Sequence, residues 1–118
     1  MVVCAVDDLM FSSKISTAAK QLGAGVRFVR TADDVLPTVR ELAPALVIFD
    51  LNAGRLRPME AITGMKADPA LAGIRTLGYV SHVQADVIAA ARAAGCDEVL
   101  ARSAFTQQLG EILSGSRT

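Results

Sequence analysis

The chain has 118 residues, the size of one domain, so a second independent core is excluded and we expect a single domain over residues 1–118. Hydrophobic residues make up 52% and charged residues 20%, which excludes the composition of a disordered chain. Twelve basic and twelve acidic residues give a formal net charge of zero, so no nucleic acid or anionic membrane is expected as a partner.

Five short apolar runs along the chain are predicted to be strands. They are Val2 to Val6, Val26 to Val29, Ala45 to Phe49, Thr76 to Val80 and Glu98 to Leu100. Segments of helical periodicity separate them, and such βα alternation makes the strands parallel. Continuously apolar runs indicate strands covered by helices on both faces. The predicted fold class is α/β, a doubly wound sheet of five parallel strands.

The first two helices are predicted from their terminal residues. The first ends at Gly23, because glycine suits the end of a helix. The second is expected to begin with Asp33 or Asp34 as N-cap. It would carry Pro37 in its first turn, where no helical N–H is required, and close at Pro44.

Three further helices are predicted in the second half of the chain. The third runs from near Pro58 to Asp68, and the fourth from Gln84 to Ala94. The fifth has Ser103 as N-cap and ends near Leu113. The polar tail, residues 114–118, is expected to fray.

The sequence carries no sign of export. No apolar run is long enough to cross a bilayer, and the first residues lack the basic region of a signal peptide, so a cytoplasmic location is expected. Cys4 and Cys96 are too few for a disulfide scaffold and lack metal-ligand spacing. Both are predicted to be buried thiols.

Polar residues follow most of the predicted strands. In parallel sheets, ligands bind outside the carboxyl ends of the strands, so these residues form the candidate site. The second strand contributes only Arg30, which is expected at an edge of the sheet. The others are Asp7 and Asp8 after the first strand, Asp50 and Asn52 after the third, Ser81 and His82 after the fourth, and Arg102 and Ser103 after the fifth.

Three carboxylates, those of Asp7, Asp8 and Asp50, converge if the first and third strands are neighbours. Each close pair of like charges costs about 4 kcal/mol at an effective dielectric constant of 20. A raised carboxyl pKa, a nearby cation such as Arg102, or a hard divalent metal such as Mg²⁺ would relieve this repulsion. A carboxylate beside such a metal can attack phosphorus, which makes a phosphoaspartate site the sharper hypothesis. Alternatively, each aspartate only caps the next helix or faces solvent.

Four segments together resemble the receiver domains of two-component response regulators. They are Val2-Val-Cys-Ala-Val-Asp-Asp8, Leu46-Val-Ile-Phe-Asp-Leu-Asn52, Thr76-Leu-Gly-Tyr-Val-Ser81 and Gly95-Cys-Asp-Glu-Val-Leu-Ala-Arg-Ser103. The resemblance covers essentially the whole chain without gaps. It implies a flavodoxin-like fold with strand order 2-1-3-4-5.

The resemblance also implies a role for each matching residue. Asp50 is the phosphoacceptor, Asp8 is a direct Mg²⁺ ligand and Asp7 acts on the metal through water. The backbone carbonyl of Asn52 completes the metal site, and the Ser81 hydroxyl binds a phosphoryl oxygen. The phosphoryl donor is a sensor histidine kinase or a phosphotransfer protein. The chain is then a signalling module and not an enzyme, with a downstream protein partner and a candidate homodimer interface on the face of the fourth and fifth helices.

Several residues depart from the pattern of the family. Receivers usually carry lysine and proline where this chain has Arg102 and Ser103. Arginine keeps the positive charge but cannot reproduce the compact contact of an ammonium group, and without the proline no cis peptide is expected. An aromatic residue that changes orientation in relatives is replaced by Val99, whose side chain has few rotamers.

Two more departures concern the loops around the site. Receivers normally have a proline and an aspartate-glycine pair in the loop after the phosphoacceptor, where this chain reads Asn52-Ala-Gly-Arg-Leu-Arg-Pro58. Arg55 and Arg57 bring positive charge near the acidic residues, and we favour their interpretation as solvated loop residues. His82 follows the hydroxyl residue Ser81, and we interpret its imidazole as a steric gate and not as a metal ligand.

Two functions therefore stay open, and a third is disfavoured. The chain is a phosphoacceptor, or it is a degenerate receiver that serves as a protein-binding platform independent of phosphate. A nucleotide-binding enzyme is disfavoured, because Gly23-Ala-Gly25 lacks the third glycine of a dinucleotide fingerprint and follows a helix.

Overall fold

Five parallel strands form one sheet. They are β1 (Val2–Ala5), β2 (Val26–Val29), β3 (Leu46–Asp50), β4 (Arg75–Val80) and β5 (Glu98–Ala101), paired in the order β2-β1-β3-β4-β5. The computed structural model describes residues 1–81 and 84–115. The predicted α/β class and the strand order 2-1-3-4-5 are confirmed. Within the described residues, no helix combines the length and the apolarity needed to cross a membrane.

Six helices cover the two faces of the sheet in the described residues. They are α1 (Leu9–Leu22), α2 (Ala32–Leu42), α3 (Pro58–Ala67), α4 (Ala85–Ala94), α5 (Arg102–Gln107) and α6 (Leu109–Ser114). One core lies between the sheet and α2, α3 and α4, and the other lies between the sheet and α1, α5 and α6. Successive residues of β3 alternate between the two cores, with Val47 and Phe49 on one side and Ile48 on the other. This explains why the strands are apolar without interruption.

The start of α2 differs from the prediction. Thr31 is its N-cap residue, while Asp33 and Asp34 lie in the first turn. The Thr31 hydroxyl donates a hydrogen bond to the Asp34 carboxylate at 2.7 Å. Acidic side chains are favourable both at the N-cap and in the first turn, because both positions face the positive end of the helix dipole, so the pattern alone does not separate them. Pro37 consequently lies inside the helix and removes one of its hydrogen bonds.

The predicted fifth helix is two helices. Ala101 is the N-cap residue of α5, so Ser103 lies within the first turn and caps nothing. Gln108 separates α5 from α6 with φ −99° and ψ 6°, although its N–H still donates to the Ala104 carbonyl at 3.0 Å. The chain therefore bends at Gln108 without losing that hydrogen bond. Ser114 ends α6, and residues 116–118 of the predicted frayed tail lie outside the described residues.

A hydrogen-bonded ion pair ties α3 to the amino-terminal edge of the sheet, opposite the candidate site. Asp97 Oδ2 lies 3.0 Å from Lys66 Nζ and accepts hydrogen bonds from the Thr76 N–H at 2.8 Å and the Thr76 hydroxyl at 3.1 Å. Burial raises the pKa of Asp97, but these hydrogen bonds outweigh it, so the pKa lies below its usual value.

Both cysteines are buried and free, as predicted. Burial raises the pKa of the Cys4 thiol to about 12, and it also raises the pKa of Cys96. Neither thiol therefore carries the thiolate character of a reactive cysteine.

Candidate functional site

The three aspartates of the predicted site lie at one edge of the sheet. Asp50 is the last residue of β3, and Asp7 and Asp8 connect the neighbouring strand β1 to α1. We call these three residues the acidic cluster. Asp50 is buried, with 7% of its surface exposed, whereas Asp8 is exposed. The predicted placement at the carboxyl ends of adjacent strands is confirmed.

The surroundings of Asp50 disfavour its ionised form relative to that of an exposed carboxyl group. Burial raises the pKa of Asp50, and the negative charges of Asp8 and Asp7 raise it further. The Asn52 N–H, which donates to Asp50 Oδ1 at 3.0 Å, and the positive charge of Arg102 act in the opposite direction but do not cancel the shift. The positive charges and hydrogen-bond donors of the protein therefore do not fully offset the negative charge of the acidic cluster.

Asp8 caps helix α1. Its Oδ1 atom accepts hydrogen bonds from the Met10 N–H at 2.8 Å and the Phe11 N–H at 3.2 Å. The alternative that an aspartate of this cluster serves as a helix cap thus holds for Asp8. A cap uses only one carboxylate oxygen, and Oδ2 accepts no hydrogen bond from the described residues.

Arg55 brings a positive charge to the acidic cluster. It lies in a short 3-10 turn, Gly54–Leu56, and its Nε atom is 3.4 Å from Asp7 Oδ2. Its side chain stays 75% exposed, so the pair contributes about 0–1 kcal/mol. Arg57 lies 3.0 Å from Asp33 and 3.7 Å from Glu60, away from the cluster. Both arginines are largely exposed, in agreement with their interpretation as solvated loop residues, and each also pairs with at least one carboxylate.

Arg102 does not contact Asp50. Its guanidinium carbon lies 4.6 Å from the centroid of the Phe11 ring. Among residues 1–81 and 84–115, no carboxylate lies within ion-pairing distance of Arg102. The positive charge of Arg102 is therefore present, as predicted, but it lies over an aromatic ring and not beside a carboxylate.

Asn52 connects two loops of the site through its side chain. Its Oδ1 atom accepts a hydrogen bond from the Ser81 N–H at 2.7 Å, and its Nδ2 atom donates one to Gln84 Oε1 at 2.8 Å. The predicted role concerned its backbone carbonyl, which accepts from the Gly54 N–H at 3.0 Å. The side-chain bridge was missed because it depends on how the loops after β3 and β4 approach each other. The predicted gate at His82 lies outside the described residues.

An open cavity of about 570 Å³ lies between the end of β4 and α5. Ser81, Arg102, Ser103 and Thr106 are among its lining residues. Hydroxyl and guanidinium groups are donors suited to an oxyanion. The structure therefore places the predicted hydroxyl residue and the predicted cation on one concave surface beside the acidic cluster.

A stack of three aromatic rings lies beneath the site and was not anticipated as a unit. Ring centroids are 4.9 Å apart for Phe11 and Tyr79, 4.6 Å for Tyr79 and Phe105, and 5.8 Å for Phe11 and Phe105. The Tyr79 hydroxyl is buried and has no hydrogen-bond partner among the described residues. Burial raises the pKa of Tyr79, and the charge of Asp50, its neighbour across the strands, raises it further. Phe11 is buried, whereas the neighbouring Met10 is 64% exposed.

Two members of the acidic cluster, Asp8 and Asp50, offer oxygens suited to a hard cation that keeps part of its water shell. In the described part of the chain, no group of three or more histidine, cysteine, aspartate or glutamate residues is arranged to hold a metal ion. Mg²⁺, however, is usually held by one or two carboxylates and completes its octahedron with water. One oxygen each of Asp8 and Asp50 accepts no hydrogen bond from described residues. Two carboxylates and water thus suit Mg²⁺, whereas an enclosed three-carboxylate site is absent there.

Comparison with known proteins identifies the fold. No protein-family model matches the chain, and no curated protein matches it. A response regulator from Hahella chejuensis is 18% identical with a TM-score of 0.86, covering 96% of this chain and 91% of that one. The phosphorylated cyanobacterial phytochrome response regulator RcpA is 23% identical with a TM-score of 0.77, covering 98% and 89%.

The Mn²⁺-bound form of response regulator Rcp1 is also similar. It is 17% identical with a TM-score of 0.77, covering 97% of this chain and 88% of that one. Similarity at these identities establishes the fold. The chain has the fold of response regulator receiver domains, as its sequence motifs predicted.

Proposed function

We propose that the protein is a phosphoacceptor signalling module of a two-component phosphorelay, in which Asp50 receives a phosphoryl group in the presence of Mg²⁺. The observation that supports this most is the state of Asp50, a buried carboxylate at the carboxyl edge of a central strand. Two further carboxylates lie beside it, and no cation of the described chain contacts it. A site with an uncompensated negative charge gains stability from a divalent cation.

The chain's own residues would perform the transfer as follows. The Asn52 N–H holds Asp50 Oδ1, which leaves Oδ2 to attack phosphorus. The new bond is O–P, and the bond from phosphorus to the donor's leaving atom breaks. Ser81 and Arg102, on the wall of the adjacent cavity, bind the phosphoryl oxygens.

A divalent cation would assist this step electrostatically. Asp8 Oδ2 and the second lone pair of Asp50 Oδ1 would hold Mg²⁺, which would supply positive charge between two anions and favour the ionised form of the carboxylate, while Asp50 Oδ2 stays free to attack phosphorus. The similarity to a Mn²⁺-bound receiver supports a divalent ion at this site.

Labelling by a small phosphodonor tests the proposal. Acetyl phosphate with Mg²⁺ should add one phosphoryl group to the intact protein, and chelation of Mg²⁺ should prevent the addition. Asp50→Asn should remove the adduct, whereas Asp68→Asn, at a partly buried aspartate just beyond the end of α3 that pairs with Arg40, should keep it. An unlabelled parent protein, or an adduct that persists in Asp50→Asn, would refute the assignment.

The partners in this proposal are proteins. A sensor histidine kinase or phosphotransfer protein supplies the phosphoryl group, and a downstream protein reads the face formed by β4, β5, α4 and α5, which is also the candidate homodimer interface. The chain acts in the cytoplasm as a switch and catalyses no reaction on a second substrate. In β5, Val99 packs against the core where relatives carry an aromatic residue, so we expect a small response confined to Ser81 to about Val87 and the segment around Arg102.

A degenerate receiver that binds proteins without phosphate is the second candidate function. The contacts within the site favour it: Asp8 caps a helix, Asp7 pairs with Arg55, Arg102 rests on Phe11, and Asn52 joins two loops. If Asp50 were phosphorylated, each of these contacts would have to break or to remain beside the phosphoryl group. The labelling experiment separates the two functions, because a platform of this kind acquires no adduct at Asp50.

A further inference from the structure

The guanidinium group of Arg102 lies beside the acidic cluster without using its hydrogen-bond donors on the described residues. Arg102 is the first residue of α5 and is partly buried. Its charge is close enough to influence Asp50, yet it neither pairs with a described carboxylate nor donates a hydrogen bond to a described acceptor. A guanidinium carries five N–H donors, so this position needs an explanation.

The ring of Phe11 supplies that explanation. Arg102 lies 4.6 Å from its centroid, within the range of a cation–π interaction. Arginine stacks on aromatic faces more readily than lysine, because its guanidinium is planar and weakly hydrated. The replacement of lysine by arginine therefore allows this residue to rest on the ring instead of on a carboxylate.

Phe11 is held firmly in this position. Its N–H donates to the Asp8 carboxylate in the cap of α1, and only 1% of its surface is exposed. Its ring stacks with Tyr79 of β4 and Phe105 of α5. Contacts from three elements thus fix the ring, so the surface it offers to Arg102 is preformed.

We infer that Phe11 is a positioning residue, whose ring holds Arg102 away from Asp50 and so keeps the acidic cluster open to a divalent cation. This inference rests on the proposed function, because it concerns the same pocket. An arginine in contact with Asp50 would neutralise the cluster, and a cation would have to displace it. With Arg102 on the ring, neither Asp8 nor Asp50 forms an ion pair with Arg102 that a metal would have to break.

Mn²⁺ binding to four proteins tests this inference. The dissociation constant is measured by water-proton relaxation for the parent, Phe11→Leu, Arg102→Gln and the double variant, each checked for folding by thermal unfolding. Leucine keeps an apolar side chain but has no aromatic face. Phe11→Leu should weaken Mn²⁺ binding about fivefold, equivalent to about 1 kcal/mol. In the Arg102→Gln background the same substitution should change nothing, because no guanidinium remains to be released.

A matched control and a metal-free measurement complete the test. Lys14 Nζ lies 5.5 Å from the same ring, so Lys14→Gln removes a neighbouring positive charge without freeing Arg102 and should not weaken binding. In the metal-free parent, ring current should shift the δ-methylene protons of Arg102 upfield in the NMR spectrum. Phe11→Leu should abolish that shift.

The outcomes separate the inference from the proposed function. Ordinary Arg102 proton shifts in the parent would overturn the inference whether or not the protein binds metal. A second outcome is tight Mn²⁺ binding by the parent, with Phe11→Leu weakening binding equally with arginine and with glutamine at position 102. That result would overturn the inference but not the proposed function, because Phe11 would then act only through the fold. A parent that binds no Mn²⁺ would refute the metal site of the proposed function and the consequence inferred for Phe11 together.

Discussion

Asp8 combines two roles that substitution can separate, the cap of α1 and the proposed ligation of a cation. Its Oδ1 atom accepts two backbone hydrogen bonds, at 2.8 and 3.2 Å. Asp8→Ala removes these acceptors, and loss of an N-cap side chain costs about 1 kcal/mol. Asp8→Asn keeps an amide oxygen in nearly the same place, so the cap persists while the negative charge disappears.

The two variants should therefore differ in stability and agree in metal binding. Asp8→Ala should unfold about 4 °C below Asp8→Asn, given the size of the chain. Asp8→Asn should be at least as stable as the metal-free parent, because it relieves repulsion with Asp50, whose pKa the Asp8 charge raises. Both variants should lose most of the Mg²⁺ affinity.

Thermal unfolding followed by circular dichroism, with and without Mg²⁺, measures both effects. Met10→Ala is a suitable control, because that side chain is exposed and only its backbone N–H takes part in the cap. Equal melting temperatures for Asp8→Ala and Asp8→Asn would show that the cap contributes nothing. Undiminished Mg²⁺ stabilisation of Asp8→Asn would show that Asp8 is not a ligand.

Three further predictions concern stability. Burial is the main reason why the pKa of Asp50 is raised in the folded protein, so ionisation of Asp50 opposes folding. Asp50→Asn should therefore increase the free energy of unfolding of the metal-free protein at pH 7. Urea titrations should show that this increase becomes smaller as the pH falls through the raised pKa of Asp50. The pKa of Asp97 is lowered in the folded protein because its hydrogen bonds outweigh burial. Asp97 therefore stabilises the fold above the pKa that it has in the unfolded chain, and this stabilisation is lost as the pH falls through its pKa in the folded protein. In urea titrations, Asp97→Asn should make the free energy of unfolding decrease less at acid pH. A Cβ on Gly78 would lie 2.7 Å from the Leu51 side chain, so Gly78→Ala should cost about 1–3 kcal/mol, measured by chemical denaturation, and an unchanged midpoint would contradict this packing.

The fold could be predicted because its determinants are local and repeated. Apolar runs separated by helical periodicity identify the strands, and the structure places each boundary within about one residue of the prediction. The errors arose at helix ends. Thr31, and not Asp33 or Asp34, caps α2, since all three side chains suit a helix amino terminus. The predicted fifth helix divides at Gln108, which is itself neither a proline nor a glycine.

The sequence by itself determined which residues stand at the carboxyl edge of the sheet. A side chain that follows a parallel strand lies near that edge, and the pairing of β1 with β3 brings the segment after Ala5 to the same edge as Asp50. Only the tertiary structure decided which group each charged side chain contacts. The guanidinium of Arg102 lies over the Phe11 ring, and Arg55 pairs with Asp7. The physical reason is that strand pairing fixes the positions of residues near the strand ends. A long, flexible arginine side chain, in contrast, can reach several acceptors. Packing and burial in the tertiary structure decide which of them it contacts, and no local sequence pattern encodes these.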